Sequence, residues 1–221
     1  MATQTNNLAR LLRIMARLRG PGGCPWDREQ THRSLRHNLI EECYEVLDAM
    51  DSGQAGEFRD ELGDLLLQIV FHAQMADEAG EFDFDAVSKS IADKLVRRHP
   101  HVFGKKKAGT SAEVLKQWEQ IKKTEKNSLS IFAEVPRSLP ALLKADKIQR
   151  KASRVGFDWK HVKDVVAKVE EELRELKGAL ASGNRRHFEE ELGDLLFAAV
   201  NLARYEKLDA EDLLNRTPNF R

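Results

Sequence analysis

Cysteine is scarce in this 221-residue chain: only Cys24 and Cys43 occur, with no CxxC spacing. So few cysteines cannot form a disulfide framework, and the two read as reduced thiols. An excess of one charge is also missing, since Lys plus Arg and Asp plus Glu stand at 36 each. Composition therefore gives no case for a nucleic-acid partner. No apolar run approaches the ~18 residues of a membrane span. The first residues, MATQTNNLARLL, lack the apolar core and cleavage site of a secretory signal. These absences lead to the expectation of a cytoplasmic protein with neither a membrane nor a nucleic-acid partner. Strand-like alternation is absent too. Hydrophobic residues make up 41% of the chain and charged residues 33%, a balance that suits a helical globular protein.

What the chain has in quantity is carboxylate, in a pattern that occurs twice. Residues 41–45 read EECYE and 61–64 read ELGD; residues 171–175 read EELRE and 191–194 read ELGD. In both copies the second motif begins sixteen positions after the last Glu of the first, and every motif position recurs at an offset of 130. Ser52-Gly53 recurs as Ser182-Gly183, while GCPW at 23–26 returns as GFDW at 156–159 with a three-residue slip. A duplication is the economical explanation.

Hydrophobic spacing predicts helices over about 8–19, 35–50, 57–79, 86–99, 111–126, 138–153, 161–181 and 187–205. GPGG at 20–23 reads as a break, Gly53 as a left-handed cap, and Pro100 as a stop. The run inside 57–79 is apolar nearly all round, so it is expected to be a buried spine. The predicted fold is all-α: tandem four-helix modules at 8–103 and 137–221, joined by a charged connector at 104–136. After DAEDLLNRTPNFR there is no room for a full fourth helix in the second module, which is expected to miss most of it.

A helix turns about 100° per residue, so Glu41, Glu42 and Glu45 lie on neighbouring faces, as do Glu61 and Asp64. Two antiparallel helices presenting these faces would gather up to five carboxylates. Left alone, such groups repel one another. A hard cation removes the repulsion, and the residue types fit Mg²⁺ or Mn²⁺ but not zinc, because no His or Cys accompanies them. A solvated acidic face is the bland alternative. Against it stand the adjoining apolar runs, LLLQIVF and LLFAAV, and the constant spacing of two copies. A di-iron bundle would need two ExxH motifs, and the one ExxH, ending at His32, lies outside the acidic helices. His72 reads as a packed or surface histidine rather than a ligand.

At these residues the chain closely resembles the MazG family of nucleoside triphosphate pyrophosphohydrolases, whose signature is EExxE, a spacer, then ExxD. GCPWD at 23–27, RRHPHVF at 97–103, PRSLPAL at 136–142 and VGFDW at 155–159 share the resemblance, which spans nearly the whole chain. It implies four-helix modules, pairing into homodimers, bound Mg²⁺, and the reaction NTP + H2O → NMP + PPi. Broad specificity and a house-cleaning or stress-related role go with it. It also implies Glu42, Glu45, Glu61 and Asp64 as metal ligands, with Glu172, Glu175, Glu191 and Asp194 as their counterparts. Glu41 and Glu171 would orient or deprotonate the water.

Lys94, Arg97 and Arg98 share one helix face and are candidates for a phosphate clamp, or else an ordinary basic last turn. Trp26 is a candidate for stacking on the base, as is Trp159; a core anchor is the commoner role for a Trp beside a Gly turn. Family members continue past this point through a KFxxRF-like segment, of which TPNFR keeps Phe220 and Arg221. The first repeat is therefore expected to be the complete site. Two other readings remain: a narrower hydrolase acting on dUTP, dCTP or phosphoribosyl-ATP, and a non-catalytic nucleotide-binding regulator.

Overall fold

The computed structural model describes residues 6–126, 132 and 135–217; of Lys123 and Lys126 only the backbone is described. Phe220 and Arg221 lie outside the described residues. Contacts divide the chain into two units, residues 1–122 and 123–221. Among the described residues all regular secondary structure is α-helical.

The first unit is built on a hairpin. Helix α3 (Arg36–Ser52) runs into α4 (Ala55–Glu78) through a turn that Gly53 makes possible. Gly53 sits at φ +69°, a backbone state that side chains resist although nothing would touch a Cβ there. Ser52 closes the turn, its Oγ donating to the Ala49 carbonyl at 3.0 Å and accepting from the Gln54 amide at 3.2 Å. The amphipathic helix α1 (Asn7–Arg19) packs on α4, started by the Asn6 side chain, which accepts from the Ala9 amide.

Met15, Leu35, Val70, Phe71 and Met75 form the buried core, with Leu11, Leu12, Leu66, Leu67 and Phe84 against it. The spine is not enclosed all round, contrary to expectation, since Leu62 and Ile69 on α4 are each 42% exposed. Arg19, buried to 8% exposure, lies over the Phe71 ring and bonds Glu78 at 2.7 Å, tying the end of α1 to the end of α4.

The glycine-proline stretch after α1 is not only a break. Pro25 begins a short helix, α2 (Pro25–Glu29), because a proline at the first helical position gives up no needed N–H. Pro100 acts in the same way. It ends α5 (Phe84–Arg98) and starts α6 (Pro100–Phe103). Helix α7 (Ser111–Lys126) meets this corner through Trp118, whose ring takes the edge of His99 at 5.0 Å and the guanidinium of Arg98 at 5.4 Å. Residues 104–122 thus group with the first unit.

The second unit repeats the hairpin as α9 (Val162–Ser182) and α10 (Arg185–Tyr205). Gly183 sits at φ +67°, and Ser182 Oγ donates to the Ala179 carbonyl at 2.8 Å, as in the first copy. Helix α8 (Ala141–Ser153) packs on α10, and the short α11 (Ala210–Asn215) meets α8. Val165, Ala179, Ala198 and Val200 are buried. The matching hairpins bring the two halves of each carboxylate motif face to face.

Candidate metal centres and a nucleotide pocket

In the first unit Glu42 and Glu45 from α3 and Glu61 from α4 each offer an oxygen, all within 4.8 Å of one another. Glu42 and Glu61 are half-buried and Glu45 is exposed. One oxygen of Glu42 accepts from Gln68 Nε2 at 3.3 Å; the other is buried with no hydrogen-bond partner. Burial, then the Asp64 charge, pushes the Glu42 carboxyl above its ordinary range. Glu61 is raised as well, by burial and then by Glu45, Asp64, Asp60 and Glu57. Asp64 therefore acts on this site through its charge. Glu41 is exposed and stands outside the trio.

The second unit gathers two overlapping groups: Glu171, Glu172 and Glu175, and Glu172, Glu191 and Asp194. Glu172 belongs to both and is 5% exposed. Burial, then Glu175, raises the Glu191 carboxyl, with His187 opposing; one Glu191 oxygen is buried without a partner. Oxygens crowded this closely, two of them unsatisfied and with no Cys or His in the trios, fit a hard divalent ion.

A cation already stands in this second cluster. Lys168 Nζ lies 2.7 Å from both Glu171 Oε1 and Glu172 Oε1. Hydrogen bonds to the two carboxylates raise the Lys168 ammonium further, and the same contact lowers Glu171. Sequence reading missed Lys168 and assigned candidate phosphate-binding cations to the first repeat alone. The signal was available: an offset of 130 sets Lys168 opposite Asn38. Of the expected clamp, Lys94 is half-buried on α5 and Arg98 faces the Trp118 ring, while the charges that dominate at Glu42 and Glu61 are carboxylates.

The second cluster also opens on a cavity of about 740 Å³. Lys168, Glu172 and Asp194 line it, and Phe132, Phe157, Trp159, Ile148 and Phe197 supply apolar surface. The size and lining are those of a small-molecule site. Trp159 is 42% exposed and Trp26 55%, so the core-anchor expectation fails for both. Residues 154–161 form an irregular segment between α8 and α9, and a short α2 carries Trp26; neither setting encloses an indole. The Trp159 segment is fixed instead by its neighbour Asp158, which accepts from Arg204 Nη2 at 2.5 Å and Nη1 at 3.1 Å.

That pair gives the pocket an acid limit. The Arg204 hydrogen bonds hold the Asp158 carboxyl below its ordinary range. A depressed folded value stabilises the fold above the unfolded value of about 3.9 and loses that contribution as pH falls through the folded value. Indole fluorescence should therefore report loosening of the Trp159 segment as pH is lowered below about 4. Asp158→Asn should remove that component and leave the rest of the acid transition. An unchanged profile would show that the pair does not hold the wall.

The sequence profile of the MazG nucleotide pyrophosphohydrolase domain matches residues 30–103 and again residues 160–219. The nucleoside triphosphate pyrophosphohydrolase of Escherichia coli K12 is 50% identical over 217 residues, covering 96% of this chain and 82% of its own length. The nucleoside triphosphate pyrophosphohydrolase/pyrophosphatase MazG of Thermotoga maritima is 49% identical over 208 residues, 93% of this chain and 79% of its own. A relative in Mycobacterium tuberculosis, named a nucleoside triphosphate pyrophosphohydrolase, is 41% identical over 161 residues, 71% of this chain and 48% of its own. Both matched segments contain a carboxylate hairpin.

Proposed function

The chain belongs to the MazG family of nucleotide pyrophosphohydrolases, and on that premise we propose that it hydrolyses nucleoside triphosphates to NMP and PPi at the second carboxylate cluster. The observation that carries the choice of cluster is the aromatic cavity bounded by Lys168, Glu172 and Asp194. Glu172, Glu175, Glu191 and Asp194 would hold Mg²⁺, or Mn²⁺, with Glu42, Glu45, Glu61 and Asp64 as the first-unit set. Held there, the ion would supply an acidified water and neutralise phosphate charge.

The chain's own groups do the rest. The faces of Phe157 and Trp159 offer stacking to a base, which is tolerant of base identity and accords with broad specificity. The Lys168 ammonium lines the cavity beside Glu172, where it would lend charge stabilisation to a bound polyphosphate. Glu171, held by Lys168, would orient the water, with Glu41 as its counterpart. Trp26, Lys94, Arg97 and Arg98 are the matching candidates in the first unit.

The reading extends to a homodimer in a cytoplasmic setting with a house-cleaning role. Ile40, Leu47 and Met50 on one side of α3 are 50%, 53% and 53% exposed, apolar surface that a second copy would cover. Cys24 and Cys43 are free thiols, in keeping with a reducing compartment. Among the described residues no helix is long and apolar enough to cross a membrane.

The test is product analysis on a panel of ribo- and deoxyribonucleoside triphosphates, with and without Mg²⁺. NMP and PPi in equal amounts, formed only with the ion, are the expected result. Release of single phosphates, or turnover of dUTP or dCTP alone, would replace this reading with a narrower one.

A further inference from the structure

The two clusters carry the same acids and opposite neighbours. Lys168 stands three and four residues before Glu171 and Glu172 on α9, and its ammonium contacts both carboxylates at 2.7 Å. The corresponding place on α3, before Glu41 and Glu42, holds Asn38. His187 Nδ1 on α10 lies 3.3 Å from Glu191 Oε1, while the first repeat has Glu57 at that position. Arg185 and Arg186 open α10 where Ala55 and Gly56 open α4. Glu57 and Asp60 thus add negative charge at Glu61 of the first cluster, while the second has Lys168 within it and His187 beside Glu191.

Helix geometry makes the contact a standing one. Residues three and four apart share a face, so the ammonium is delivered to these carboxylates by the backbone itself. Glu172 is nearly buried, with its side chain 7% exposed, so it gains most from a resident positive charge. A divalent ion would take the same oxygens at short range. Two cations cannot share them without strong repulsion.

We propose that Lys168 is a built-in counter-ion of the second cluster, which a divalent ion must displace. The metal-free protein then loads metal first in the first unit, where Asn38 offers no competing charge, and more weakly in the second. Lys168 acts here as a positioning residue that sets the order in which the clusters fill. The inference rests on the metal-dependent reading above and adds an inequality between the two sites.

The experiment is a titration of the metal-stripped full chain with Mn²⁺ alone, following free Mn²⁺ by its paramagnetic resonance signal. Two classes of site are expected, and Glu42→Gln should remove the tighter one. Lys168→Asn should tighten the weaker class by about tenfold, and Asn38→Lys should weaken the tighter class by a similar factor. Lys168→Gln serves as a second replacement, with helical content followed by circular dichroism.

The proposal is overturned if the Lys168 replacements leave the weaker class unchanged, or if Glu172→Gln rather than Glu42→Gln removes the tighter class. Absence of Mn²⁺ from both clusters would overturn the metal-dependent reading itself, and this inference with it. The two failures are therefore distinct.

Discussion

Glu172→Gln is expected to lower the release of pyrophosphate from a nucleoside triphosphate by roughly a thousandfold, about 4 kcal/mol of lost transition-state stabilisation. Three observations set that size. Glu172 is the member common to both carboxylate groups of the second unit. It is 5% exposed, so solvent cannot stand in for its charge. It also lines the aromatic cavity, next to Lys168 and Asp194. Glutamine keeps the shape but removes the anion, which leaves Lys168 with Glu171 as its ion-pair partner in this cluster. The loss should fall mainly on kcat, since the stacking surfaces are untouched. Glu172→Asp, which keeps the charge on a shorter arm, should retain more activity. Glu42→Gln should cost at least tenfold less than Glu172→Gln. If the order of those two variants is reversed, turnover belongs to the first unit.

Sequence alone expected that reverse order, and the reason is specific. The candidate cations of the first repeat, Lys94, Arg97 and Arg98, lie on α5, outside the carboxylate hairpin. The cation on which the proposed order rests lies inside the duplicated segment, as the difference between Asn38 and Lys168. A comparison of repeats that tracks only the matching acids passes over it.

The hairpins, by contrast, were legible to within a residue or two. Their signals are local: a Ser-Gly turn with a left-handed glycine, and apolar spacing on each side. The cavity was not legible at all. Its walls come from Phe132, α8, the segment around Trp159, α9 and α10, and no local pattern encodes their convergence. The exposure of Trp26 and Trp159 has the same origin, because a turn beside a Trp does not say which way the indole leaves it.

The first unit's core poses the second large test. Phe71→Ala should destabilise that unit by about 3–5 kcal/mol, the cost of a large buried ring replaced by a partly relaxed cavity. Phe71 is 4% exposed and packs with Met15, Leu35, Val70 and Met75, so truncation removes contacts to α1, to the segment before α3, and within α4. It also removes the surface beneath Arg19, whose guanidinium lies 5.3 Å from the ring centre. That guanidinium bonds Glu78 and the carbonyls of Asp27 and Gln30, so the ring indirectly holds the segment around Trp26. Hydrogen exchange should accordingly lose protection at the α1–α2 corner as well as along α4. Phe71→Leu, which fills most of the space, should cost less than about 1.5 kcal/mol and keep the corner closed. The apolar character of residues 65–71 pointed to this spine, but half-exposed Ile69 shows that only part of it meets the core. Ile69→Ala should therefore cost no more than about 1 kcal/mol in the monomer, and a cost close to that of Phe71→Ala would mean that this face of α4 is covered after all.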